Sequence, residues 1–135
     1  MIAGGVFANL PDLTVVCAEV GFAWIPPFMW RIDKQWKSFR PEVPWVKELP
    51  SDILRRQVRF TVAPLDGTSH GQRLDRTVEL LGSDEMLLFA TDYPHWHHEQ
   101  PERLHEATVE PTLIDKIMRE NPASVYPTIA SSQPA

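Results

Sequence analysis

The chain has 135 residues, 43% of them hydrophobic and 23% charged, with a formal net charge of −5 and one cysteine, Cys17. That length suits one domain with a modest core, and an acidic balance without any basic block argues against nucleic acid as a partner. A single cysteine excludes an internal disulfide and points to a reducing, cytoplasmic setting, while no apolar run approaches the ~20 residues that cross a bilayer, so no membrane association is expected.

Taken in chain order, Met1-Ile2-Ala3-Gly4-Gly5 lacks the basic flank and full apolar core of a signal peptide. It reads as the tail of a helix that begins upstream. Residues 2–9 form a short helical piece ended by Pro11-Asp12. Residues 13–18 are apolar and β-branched and end on Glu19, which predicts a strand followed by an acid. After a turn at 20–24 comes a helix over 25–39, with Pro26 and Pro27 in its first turn, where missing amide donors cost nothing. Ile25, Met29, Ile32, Trp36 and Phe39 recur at helical spacing and read as core.

A loop at 41–50 carries Trp45, and Ser51 is a suitable N-cap for a short helix through Arg56. Residues 58–62 predict a second strand, closed by Ala63-Pro64, and 66–71 a loop. A helix over 72–81 places Leu74, Val78 and Leu81 on one stripe and stops at Gly82. A third strand is predicted over 86–91, then a polar loop at 95–111 with a helical turn in it. A last helix, 112–120, ends at Asn121, and Pro122 opens a short turn through Tyr126. Residues 130–135 read as a frayed tail, which leaves one domain over 1–129.

The stretch Met86-Leu87-Leu88-Phe89-Ala90-Thr91-Asp92-Tyr93-Pro94-His95-Trp96 organises the rest. Its apolar part is short and has no helical stripe, as in a strand buried on both faces. Asp92 falls where the strand stops, and Pro94 closes off further pairing. In parallel α/β sheets ligands bind at the carboxyl ends of the strands, so an acid there is a candidate ligand or proton carrier. The plainer alternative is a loop aspartate capping a turn. Alternating helices and strands imply an α/β fold with a parallel sheet and helices outside it. A sheet of three strands has two open edges, as in part of something larger.

Four blocks in order resemble the amidohydrolase-related metal-dependent hydrolases, the group that also holds the aminocarboxymuconate-semialdehyde decarboxylase type of enzyme. They are Gly5-Val6-Phe7-Ala8-Asn9-Leu10-Pro11-Asp12-Leu13-Thr14-Val15-Val16; Glu19 to Pro27 continuing into Trp30-Arg31-Ile32-Asp33; Gly82-Ser83-Asp84 leading to the 88–96 run; and Ile117-Met118-Arg119-Glu120-Asn121-Pro122-Ala123. The resemblance implies a (β/α)8 TIM barrel of which this chain is the C-terminal part, with its strands as the sixth to eighth. It implies that Asp92 binds the metal and handles the proton of an attacking water. Glu19 stands where decarboxylase-type members place a histidine, and is a second catalytic candidate; His95 and Trp96, in the loop leaving the last strand, are expected to face substrate. The expected activity is metal-dependent hydrolysis of a small-molecule substrate, with decarboxylase-type carbon–carbon lysis or a non-catalytic, oligomerising half-barrel as alternatives. The family's His-x-His pair on the first strand and histidine on the fifth have no counterpart, and His97-His98 are adjacent loop residues of a polar surface rather than a pair on one strand face. A divalent metal, zinc first, is therefore expected in a full-length relative and not held tightly by this chain, which would be inactive alone. Self-association, or a missing barrel half, would cover the open strand edges.

Overall fold

Among the described residues, parallel pairing in chain order builds a sheet of three strands. The computed structural model describes residues 1–65, 73–96, 98–107 and 110–127. The predicted 66–71 loop, Gln72 at the head of its predicted helix, His97 and the 130–135 tail lie outside the described residues. The elements are α1 (Val6–Asn9), β1 (Val15–Cys17), α2 (Ile25–Phe39), a 3-10 turn (Arg40–Glu42), α3 (Pro50–Gln57), β2 (Val58–Thr61), α4 (Arg73–Leu81), β3 (Leu87–Leu88), α5 (Pro101–Ala107), α6 (Pro111–Asp115), a π-helical turn (Lys116–Glu120) and α7 (Asn121–Val125). Register places Cys17, Phe60 and Leu87 side by side across the three strands.

Local chemistry explains most of these elements. Pro26 and Pro27 start α2, and Ile25 and Met29 are its buried side. The expected stripe leaves the core further along, because Ile32 and Trp36 are only partly buried and Phe39 is exposed. Ser51 is not the cap of α3. It lies buried inside that helix, Leu49 is the N-cap, and the Ser51 amide donates to Asp33 Oδ1 of α2 at 2.9 Å. A carboxylate from a packed neighbour thus satisfies an amide left over by helix geometry. Gly82 ends α4 at φ 67°, a left-handed conformation that costs a residue with a Cβ.

The third strand is shorter than the predicted 86–91 run. Only Leu87–Leu88 pairs regularly, with Phe60 N–H donating to Met86 O and Val62 N–H to Leu88 O. Beyond it, Phe89 N–H donates to Ile117 O of the π-helical turn at 2.9 Å, so a helix takes up an outward-facing amide of this edge strand. Asn121 does not end the last helix either; helical structure continues through it into α7. Its buried side chain donates to Asp84 O at 2.8 Å and Leu87 O at 2.9 Å, pinning the start of β3 and the turn before it. Replacing Asn121 by alanine leaves two acceptors short of a donor inside the protein. We expect a loss of about 1–3 kcal/mol of unfolding free energy, measured by urea titration against wild type. A change below about 0.5 kcal/mol would show that water replaces the amide.

The core gathers side chains of the sheet, of α1 to α6 and of the π-helical turn. Val58, Phe60 and Val62, at alternate positions, are buried in it, as is Leu87 beside Phe60. No described helix is long and apolar enough to cross a membrane.

Candidate active site

The carboxyl ends of the three strands converge on one cavity of about 210 Å3, lined by Glu19, Ala63, Pro64, Asp92 and Glu99. The placement of Glu19, Ala63 and Asp92 at one end of a parallel sheet agrees with the sequence pattern. The backbone there was not expected. Glu19 has φ 58° and Asp92 has φ 59°, and among the described residues other than glycine they alone take positive φ. The left-handed region is costly for a residue with a Cβ, least so for aspartate and asparagine, and it persists only where neighbours over-determine it.

Those neighbours are identifiable. The Glu19 amide donates to Thr61 Oγ1 at 3.0 Å, and the Thr61 hydroxyl donates to Ala63 O at 3.3 Å. The end of β2 therefore holds the end of β1. Around Asp92, the Tyr93 amide donates to Thr91 Oγ1, the His95 amide donates to Asp92 O, and the Glu99 amide donates to Thr91 O at 2.7 Å. The bond from Glu99 back to Thr91 brings the two residues together, and Tyr93 and Trp96 stand exposed.

Asp92 and His95 are a pair, with Oδ2 2.7 Å from Nδ1. The carboxylate is largely covered, its side chain 14% exposed, while the imidazole stands in solvent. The hydrogen bond and charge of Asp92 raise the His95 pKa above its ordinary 6.5, with a smaller push from the charge of Glu19. We expect an NMR titration of His95 with a midpoint above 6.5, returning towards the ordinary value in Asp92→Asn. By linkage, the pair supports the fold fully below the unfolded-state pKa of about 6.5, and that support is lost as pH rises through the higher folded value. An unshifted midpoint would mean that the pair is not formed in solution.

Of the residues singled out in the sequence, Glu19 and Asp92 share the cavity and His95 joins them through Asp92. Trp96 is 91% exposed and does not line the cavity. Sequence reasoning missed Glu99, which is 7% exposed. Its Oε1 accepts from the Leu65 amide at 3.0 Å, and its Oε2 lies 3.1 Å from the Arg103 guanidinium. Nothing local distinguishes it from the other acids of a polar stretch. Among the described residues no three His, Cys, Asp or Glu side chains come together as a metal would require. The described residues therefore do not make a metal site by themselves.

A parallel α/β sheet with acids gathered at its carboxyl edge defines a class of protein in which that edge binds the ligand. The chain belongs to the amidohydrolase family, whose model matches residues 1–128. No curated protein matches it. Among solved structures it is similar to 5-carboxyvanillate decarboxylase LigW from Sphingomonas paucimobilis, with 25% identity and a TM-score of 0.76, over 94% of this chain and 37% of that one. It is similar to an amidohydrolase from Mycobacterium avium subsp. paratuberculosis K-10, with 25% identity and a TM-score of 0.74, over 93% of this chain and 30% of that one. A dihydroxybenzoic acid decarboxylase from Polaromonas sp. JS666, solved with manganese and the inhibitor 2-nitroresorcinol, shares the fold at 21% identity and a TM-score of 0.68, over 98% of this chain and 38% of that one. The chain thus spans well under half the length of each of these proteins.

Proposed function

We propose that this chain supplies the acid–base part of a small-molecule active site, and that the reaction of the complete site is decarboxylation. The observation that carries this is the pair at the end of β3: a covered carboxylate, Asp92, held in a strained conformation beside a shared cavity and bonded to His95 at 2.7 Å. Loss of carbon dioxide leaves the electron pair of the broken carbon–carbon bond on the substrate, and that carbon must take a proton. Asp92, recharged through the exposed His95, delivers it. Glu19 faces the same cavity as a second carboxylate that orients the substrate's polar groups. Likeness to decarboxylases of aromatic acids supports this reaction and the substrate class, a small aromatic carboxylate. Hydrolysis is the second reading. Glu19 favours it, because by resemblance decarboxylase-type members place a histidine there.

The divalent metal of such a site, manganese in the Polaromonas enzyme, would need ligands beyond the described residues. We expect calorimetric titration of these 135 residues with zinc and with manganese to give binding weaker than micromolar. Tight binding lost in Asp92→Asn would overturn that. To test the reaction, 2,6-dihydroxybenzoate and 5-carboxyvanillate are offered to a full-length protein containing this chain, with carbon dioxide release as the readout. Release favours decarboxylation. Turnover of ester or amide substrates with no release favours hydrolysis.

A non-catalytic oligomerising module rests on a different observation. Among the described residues β1 pairs on one side only, and Trp24, Phe28 and Trp30 are exposed on or beside α2. If that reading holds, sedimentation of the isolated chain shows a concentration-dependent oligomer. A monomer that melts cooperatively counts against it.

A further inference from the structure

We propose that Glu99 is a positioning residue for the strand-end site, setting the place of Asp92 by tying the segment after β3 to the segment after β2. Its role as a staple follows from two bonds that run in different directions. Its amide donates to the carbonyl of Thr91, the residue before Asp92, at 2.7 Å. Its carboxylate accepts from the Leu65 amide, beyond Ala63-Pro64, at 3.0 Å. One residue thus connects the two segments that bring Asp92, Ala63 and Pro64 to the cavity, which Glu99 also lines.

A carboxylate is an expensive way to satisfy one amide inside a protein, and its burial needs compensation. The Arg103 guanidinium, 3.1 Å from Oε2 and one turn further on, supplies the opposite charge, although Oε2 accepts no hydrogen bond among the described residues. The length of the side chain matters more than its charge for reaching Leu65, because a glutamate and a glutamine put an oxygen at the same place. Asp92 occupies a backbone conformation that it leaves readily if its flanks relax, and Thr91 O is one of those flanks. A shift of Asp92 moves Oδ2 away from His95 Nδ1, so the Asp92–His95 bond reports on the staple although Glu99 bonds to neither side chain in that pair.

The inference depends on the proposed acid–base role only for what the positioning serves, and its test uses neither metal nor turnover. The whole chain is labelled with 15N, and the His95 ring nitrogens are read at a pH where the imidazole is neutral. A bond to Asp92 holds the proton on Nδ1. Wild type and Glu99→Gln, which keeps the acceptor for the Leu65 amide, should both show the Nδ1–H form. Glu99→Ala should lose it and show the mixed tautomers of a free imidazole. A role in general stability alone would lower the melting temperature of Glu99→Ala and leave the tautomer unchanged. If Glu99→Ala does not fold, Glu99→Asp, one methylene too short to reach Leu65, is read in its place with the same expected loss. Retention of the Nδ1–H form in the shortened variant, or its loss in Glu99→Gln, overturns the proposal. Failure of the decarboxylase reading leaves all of these results unaffected.

Discussion

Asparagine in place of Asp92 should lower turnover by about two to four orders of magnitude in a full-length protein containing this chain, the usual size for loss of a general acid–base group. The substitution is nearly isosteric. Asparagine also tolerates the left-handed conformation that Asp92 adopts at φ 59°, so the loop keeps its path. What goes is a group that can hold and release a proton, together with the negative charge beside His95 Nδ1. The His95 pKa should fall at the same time, since Asp92 is the main cause of its elevation. Circular dichroism and melting temperature close to wild type would assign the loss to chemistry. Full activity in Asp92→Asn would remove Asp92 from the mechanism, whatever the reaction proves to be.

The second large effect is on stability. Phe60→Ala should cost about 3–5 kcal/mol, as for deletion of a buried aromatic ring. Phe60 is on the central strand and 3% exposed, with Cys17 and Leu87 beside it in register. Trp24 meets its ring edge-on, with centroids 5.9 Å apart and planes at 88°. Domains of this size are stable by about 5–15 kcal/mol, so the variant gives up a large share of the whole. Chemical denaturation followed by tryptophan fluorescence measures it. A cost near 1 kcal/mol would mean that the helices collapse into the space, or that this face of the sheet is looser than its burial implies. If the strands are part of a barrel, Val15, Cys17, Phe60 or their neighbours are expected to lack partners. Phe60 is buried in the core cluster and meets Trp24, whereas Val15 and Cys17 are only partly buried.

Much of the architecture was legible from local signals. Helix α2 begins and ends where the paired prolines and apolar period placed it, at Ile25–Phe39, and Gly82 stops α4 as expected. Apolar runs closed by an acid marked β1 and β3, and motif blocks in order marked the family. Expectations leaned towards hydrolysis, whereas several solved structures of the same fold are decarboxylases. Residues that line a site do not specify its reaction unless the whole site is present. These proteins are far longer than this chain, which covers 37% and 38% of two of them.

What the sequence determined alone was the kind and order of elements and the two acids at strand ends, because periodicity, proline placement and apolar runs act within a few residues of one another. The tertiary structure decided how those acids are held. Glu19 is fixed by Thr61, 42 positions away, and the Asp92 loop is tied to Leu65 by Glu99 across 34 positions. It also decided that Asn121 pins β3 rather than ending a helix, and that Asp33 caps α3 in place of Ser51. Each is a hydrogen bond between groups that only folding brings together. The donor and acceptor are common residue types, and their pairing has no period in the chain.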